Sequence, residues 1–195
     1  DQFGLSDKSG VEISESAPKV SDFDAIRSAI GQGTNNYSTV GLARYVTTVA
    51  NSGSCYNLSL LSKATDADGN LIADYTPTLR NTVDLKQSTW DAIHQGMRKV
   101  VEDKDYYKDL TIQVAGKTGT AQENRKRANH ALFVCYAPYE QPQIAIATRI
   151  AFGYASDYAA QVTKDIVKYY FKLEDESSLI TGTAESTNVV QSAGD

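Results

Sequence analysis

Residues 113–122, Gln-Val-Ala-Gly-Lys-Thr-Gly-Thr-Ala-Gln, constrain this chain more than any other stretch. Val114, the two threonines and the alternation of small and polar residues predict an extended, half-buried strand. Gly116 and Gly119 would weaken its interior unless something must approach the backbone closely. Alternate side chains share a face, so Thr118 and Thr120 are expected on one side and Lys117 on the other. Gly119 leaves the backbone between the threonines bare. A carboxylate lying along the strand edge would meet two hydroxyls, an ammonium and free N–H groups.

Two apolar runs follow, residues 131–137 and 143–152, joined by Pro138-Tyr139-Glu140-Gln141-Pro142. Their near-continuous apolar character fits strands buried on both faces. Three sequential strands with short links should pair antiparallel. Helical spacing predicts four helices around them. The first spans residues 21–30, capped by Ser21 or Asp22, with Phe23, Ile26 and Ile30 inward and Gly31 as its stop. The second spans residues 39–51, with a stripe of Val40, Ala43, Val46, Val49 and Ala50, closed by Gly53. The third starts at Ser88 with Asp91 completing a capping box, buries Trp90, Ile93, Met97, Val100 and Val101, and ends in the run 102–105. The fourth spans residues 156–172, with Ala159, Val162, Ile166 and Tyr170 inward and Lys164, Lys168 and Lys172 toward water. Residues 55–75 read as a hairpin turning at Asp68-Gly69, and residues 77–86 as a connector. Residues 1–20 read as loop. The fold class is α+β, an antiparallel sheet packed against helices, over residues 1–172. Residues 173–195 lose periodicity and read as a disordered tail.

The 195 residues suit one domain with a real core. The net charge of −5 argues against a nucleic-acid binder. No apolar run reaches membrane-span length, and the start at Asp1 suggests a piece of something longer. Cys55 and Cys135 leave open one disulfide against two free thiols, and the free thiols are the simpler reading. Cys135 sits in an apolar strand, as a small hydrophobe would. His94, placed on a helix surface, and His130, at a strand start, are isolated, so neither a metal site nor a catalytic base is expected. Arg125-Lys126-Arg127 reads as a solvated loop rather than a site for phosphate or an anionic polymer.

Lys117-Thr118-Gly119, set in Ala-Gly-Lys-Thr-Gly-Thr-Ala-Gln and followed by Ala131-Leu132-Phe133-Val134-Cys135-Tyr136-Ala137-Pro138, has Gly31-Gln32-Gly33 upstream. Together these strings resemble the transpeptidase domain of class B penicillin-binding proteins, the cell-wall cross-linking enzymes. The elongation-type enzyme of Gram-positive bacteria is the nearest likeness, over residues 1–172. The resemblance implies part of a penicillin-binding-protein or serine β-lactamase-like fold. Lys117 would give positive potential toward the substrate carboxylate and the catalytic serine. Thr118 and Thr120 would bind that carboxylate beside the bare Gly119. The Thr120 N–H would be an oxyanion donor, and Gln32 would lie near the site wall. The implied substrate is a peptidoglycan stem peptide ending in D-Ala-D-Ala, with β-lactams as mimics and no cofactor. The implied partners are the rest of its own transpeptidase domain and the cell-elongation machinery. The implied location is the extracytoplasmic face of the cell membrane, with the anchor outside this segment.

The family's Ser-x-x-Lys and Ser-x-Asn motifs lie upstream of the glycine-glutamine-glycine string. This chain is therefore expected to carry the third motif without the nucleophile, and to be inactive and less stable alone. Ser16-Ala17-Pro18-Lys19 matches the first motif in letters, but Pro18 disfavours the helix that would align Ser16 with Lys19. Ser186-Thr187-Asn188 matches the second but falls in the tail. A serine β-lactamase or D,D-carboxypeptidase is the alternative enzyme, and a non-catalytic β-lactam sensor or structural module the alternative from another class.

Overall fold

The computed structural model describes residues 1–21, 25–123 and 126–179. Its elements run α1 (Ala25–Ala29), α2 (Thr39–Ala50), β1 (Ser54–Tyr56), β2 (Lys63–Thr65), β3 (Leu71–Asp74), β4 (Leu79–Thr82), α3 (Gln87–Glu102), a 3₁₀ turn (Asp105–Tyr107), β5 (Ala115–Ala121), β6 (His130–Ala137), β7 (Ile144–Ile150), α4 (Ser156–Tyr170) and α5 (Glu176–Leu179). This is the α+β class expected.

The three apolar strands form one antiparallel sheet in the order β5-β6-β7. Side chains on opposite faces bury different clusters, as a period of two requires. Ala131, Phe133 and Cys135 face one way and pack with Tyr107, Val114, Ala159, Ala160 and Val167. Tyr136 and Ala115 face the other and pack with Val46, Met97 and Val134. Helix α4 thus covers one face, and α2 and α3 the other. Strand β6 is buried nearly throughout, as its sequence predicts. Strand β7 is only half-buried, because it is paired on one side alone among the described residues. Cys55 and Cys135 are free and buried in separate places.

Several expectations are corrected. The third helix begins at Gln87 with Lys86 as its cap and no side-chain cap bond, so Ser88 lies inside the first turn. Gln87 instead donates to Asp91 at 2.9 Å, one turn on. The supposed connector contains β4, which pairs with β1, while the expected hairpin narrows to β2 and β3 around the Asp66–Asn70 turn. In α1 nothing is buried, and Ile26 within it and Ile30 just beyond its end are exposed. The expected caps and Phe23 fall partly on residues 22–24, outside the described ones. His94 is not a surface residue: its Nε2 donates to the Val49 carbonyl at 2.8 Å and ties α3 to α2, with its ring beside Tyr136.

Helix α4 presents a different stripe from the one expected. Ala159, Ala160, Thr163, Val167 and Lys168 are buried, while Val162, Ile166 and Tyr170 face out. The small side chains let the helix sit close on the sheet, where Phe133 already fills the space. Thr163 donates to the Ala159 carbonyl at 2.7 Å and meets Thr148 of β7 at 2.7 Å. Lys168 lies inward because Glu174 and Asp109 receive its ammonium, at 2.5 and 3.6 Å. Of the expected tail, Glu176–Leu179 forms one helical turn, and residues 180–195 lie outside the described ones.

The N-terminal loop is fastened by a charge the apolar pattern hides. Arg44, fully buried on α2, donates to the Lys8 carbonyl at 2.8 Å, to the Asp7 carbonyl at 2.6 Å and to the Gly4 carbonyl. Its partner in charge is the Asp7 carboxylate at 3.3 Å. A buried guanidinium is tolerable only with such partners. Nearby, Ser38 caps α2 through Gly41 N–H and donates to Glu15, which also accepts from Ser9 N–H at 2.8 Å. Replacing Arg44 by Met leaves these carbonyls without donors. The expected cost is about 3 kcal/mol in urea unfolding, with residues 1–9 opened to protease. An unchanged unfolding midpoint would show the loop to be held by other contacts.

The 3₁₀ turn is tied to α4 by Lys104 and Tyr106, which donate to Asp157 at 2.6 and 2.7 Å. The Lys104 bond, then the Tyr106 bond, hold the Asp157 carboxyl below its ordinary value of 3.8. The folded pKa is depressed, so this stabilisation is present above pH 3.8 and is lost as pH falls through the folded value. Asp157→Asn is therefore expected to lower the melting temperature at neutral pH and to flatten its decline in acid. An acid limb identical to that of the parent would refute the assignment.

Candidate functional site

Strand β5 is an outer strand of the sheet, as β7 is, and its sequence explains why it can serve as one. Its first half is locked in place. Arg98 of α3 donates to the Val114 carbonyl at 3.0 Å, and Tyr139 N–H to the Gln113 carbonyl at 2.8 Å. Gly116 lies under β6, where an added Cβ would sit 2.5 Å from the Phe133 ring and 2.8 Å from the Val134 carbonyl. Its second half is open. Lys117 and Thr120 are exposed and Thr118 and Gly119 half-buried. At Gly119 a Cβ would meet only Leu132, at 3.4 Å.

The register sorts the side chains. Thr118 lies opposite Phe133 and Thr120 opposite Ala131, on the face covered by α4, while Lys117 lies opposite Val134 on the α2–α3 face. The alternation expected from the sequence holds. Hydroxyls and ammonium therefore flank the strand from opposite sides, and one ligand meets both only by running along the outer edge.

That edge has a definite polarity. A residue's N–H and C=O point to the same side of a strand, and successive residues alternate. The Thr120 carbonyl accepts from Gln32 Nε2 at 3.0 Å, from outside the sheet, so Thr120 and Thr118 direct their backbone groups outward. Lys117 Nζ curls over the edge to the Thr118 carbonyl at 2.8 Å. Both outward carbonyls are thus capped by donors. The outward N–H groups of Thr118 and Thr120 have no partner among the described residues. At Thr118 and Thr120, an edge that would offer donors and acceptors alternately is left with donors, beside an ammonium. It is suited to an anion or to a carbonyl oxygen gaining negative charge.

Gln32 comes from a turn whose glycines adopt left-handed backbone, φ +74° at Gly31 and +94° at Gly33. The turn therefore brings together Gln32, Lys117, Thr118 and Thr120. His130 begins β6 opposite Ala121; it donates from Nε2 to Glu123 at 2.9 Å and accepts Phe152 N–H on Nδ1 at 3.1 Å. It is a structural clamp just beyond the edge, in keeping with its expected place at a strand start. Ser16 lies outside any helix, on a segment bridged through Lys19 to Asn36, so it has no helical turn to share with Lys19. Ser186-Thr187-Asn188 and Arg125 lie outside the described residues, and Arg127 rests over the Phe152 ring at 5.4 Å. Two clefts, of about 440 and 700 Å³, are lined by other residues and do not include Lys117 to Thr120. No group of metal-ligating residues is found among the described residues.

The family described as penicillin binding protein transpeptidase domain matches residues 1–169. The chain belongs to this family. Penicillin-binding protein 2B of Streptococcus pneumoniae is 27% identical over 195 aligned positions, covering 88% of this chain and 28% of the relative. A protein named peptidoglycan D,D-transpeptidase MrdA, from Haemophilus influenzae, is 30% identical, covering 75% of this chain and 26% of its own length. The solved structure of penicillin-binding protein 2B from Streptococcus pneumoniae strain R6 superposes with a TM-score of 0.76 at 26% identity, over 89% of this chain and 31% of that one. The chain thus spans less than a third of these relatives. The resemblance read in the strand motif and its flanks is confirmed, and so is the fold it implied.

Sequence reasoning missed Asn35. Its side chain accepts Ser21 N–H at 2.9 Å and Tyr37 O–H at 2.9 Å, and donates to Ser28 Oγ at 3.0 Å and the Gln32 carbonyl at 3.3 Å. The available signal was an Asn just after a two-glycine turn, where such side chains bind local backbone.

The two glycines of β5 should respond differently to a methyl group. Gly116→Ala is expected to cost about 1–3 kcal/mol through overpacking against Phe133. Gly119→Ala should leave thermal stability within about 0.5 kcal/mol, since it meets only ordinary contact. Thermal unfolding of both variants checks this, and equal losses would refute the division of β5 into a locked half and an open half.

Proposed function

We propose that this chain forms one wall of the active site of a peptidoglycan D,D-transpeptidase that works through an acyl-serine intermediate. The observation that carries the reading is the edge of β5 left with donors at Thr118 and Thr120, beside Lys117, in a chain of the transpeptidase-domain family. The name of the Haemophilus influenzae relative supports the reaction class.

A serine from the rest of the domain attacks the carbonyl of the penultimate D-Ala of a stem peptide, and the terminal D-Ala leaves. An acceptor amine then takes the acyl group from the serine. Thr118 and Thr120 hydroxyls hold the terminal carboxylate along the edge, with Gly119 leaving room for it. Lys117 supplies positive potential to that carboxylate and to the serine. The Thr120 N–H is one oxyanion donor, and the serine's own N–H is the other. Loss of one such donor costs on the order of 3–4 kcal/mol in transition-state binding. β-Lactams acylate the same serine as mimics. The full protein acts on the outer face of the cell membrane with the elongation machinery. No helix among the described residues is long and apolar enough to cross a membrane.

Intact-mass spectra after incubation with excess benzylpenicillin test this directly. The full-length protein is expected to gain one penicilloyl adduct, and the 195-residue chain none. An adduct on the chain itself would place the nucleophile here, and would return attention to Ser16.

A further inference from the structure

We infer that Asn35 and Gln32 act as a positioning pair that keeps the Thr120 N–H aimed into the site. This deepens the reading above and rests on it, since it concerns how the oxyanion donor of that site is held.

The argument begins with what an outer strand lacks. Thr120 receives no ladder bond on its outer side, and it stands next to last in β5, where pairing with β6 ends at Ala121 and His130. Its peptide planes are free to rotate on that side unless something holds them. Gln32 Nε2 supplies the missing bond, to the carbonyl that would otherwise turn with the strand end. The same bond serves electrostatics. An uncapped Thr120 carbonyl would present its negative end on the edge where an oxyanion forms. With the amide bound to it, that repulsion is reduced.

A glutamine on a mobile turn could not do this. Residues 31–33 are held on three sides: Gln32 N–H donates to the Arg27 carbonyl at 2.9 Å, Asn35 Nδ2 donates to the Gln32 carbonyl, and Gly31 N–H donates to the Ser28 carbonyl at 3.0 Å. Asn35 also spends its second donor on Ser28 and its oxygen on Ser21 and Tyr37, so its amide is fixed from both ends. The chain of contact runs Tyr37 and Ser28 to Asn35, Asn35 to Gln32, and Gln32 to Thr120. Neither Asn35 nor Gln32 need touch the reacting atoms. Their effect passes through the Thr120 backbone.

The test uses the full-length protein with Gln32→Met, which keeps length and loses the donor, Gln32→Glu, which sets an acceptor against the carbonyl, and Asn35→Ala. Penicillin acylation is resolved into a non-covalent dissociation constant and an acylation rate constant. The infrared stretch of the acyl-ester carbonyl is read on the acylated, folded protein. The acylation rate constant is expected to fall about 10- to 100-fold in Gln32→Met, further in Gln32→Glu and less in Asn35→Ala, with the dissociation constant within about twofold of the parent. The carbonyl band should move to higher frequency in the same order, because weaker oxyanion donation leaves a stronger C=O bond. A purely structural loss would lower the yield of folded protein and leave that band where it was. A raised dissociation constant with an unchanged rate constant and band would make Gln32 a ligand contact and overturn the inference. Parent-like values in all three variants would also overturn it. A parent protein that is not acylated at all would instead refute the transpeptidase reading.

Discussion

The hydrogen-bond valence of one strand edge governs this structure. Strand β5 pairs with β6 on one side, and its outer side must be satisfied by something else or left for a ligand. The chain does both, selectively. A side-chain amide and an ammonium occupy the outward carbonyls, and the N–H groups stay open. Much of the remaining architecture serves that arrangement: α3 pins the start of β5 through Arg98, β6 packs under Gly116, and the two-glycine turn delivers Gln32.

The layers give the edge its rigidity. Helix α4 on one face and α2 with α3 on the other hold a sheet whose middle strand is almost wholly buried. Side chains that must stay within fractions of an ångström of a working position are best mounted on such a strand. Two polar ties fix how these elements sit: Thr163 to Thr148 joins α4 to the sheet, and His94 to Val49 joins α3 to α2 within one layer. Hydrophobic contact alone is non-directional and would not do so.

The sheet, its antiparallel order and the strand that carries the motif were legible in the sequence. Each rests on a strong local signal: long apolar runs, short links, and a strand motif with glycines where a strand would not choose them. What was not legible depended on partners remote in sequence. Arg44 sits inside an otherwise apolar helix, and only the carbonyls of residues 4–8 explain it. On α4 two stripes have equal helical spacing, and the choice fell to the small residues because of how close the sheet lies. Strand β4 is short and polar, and is a strand only because β1 is beside it. Asn35 carries no signal that distinguishes it from any turn asparagine until its four partners are known.

The Gln32–Thr120 bond joins residues 88 positions apart. Closing so long a loop costs more chain entropy than forming a local helix or pairing neighbouring strands. A molecule whose sheet is complete but whose turn has not docked would still have the lysine, the threonines and the bare glycine in register. Its edge would nonetheless offer an open acceptor among the donors. The donor character of this edge therefore depends on a contact remote in sequence, and secondary structure alone would not report it.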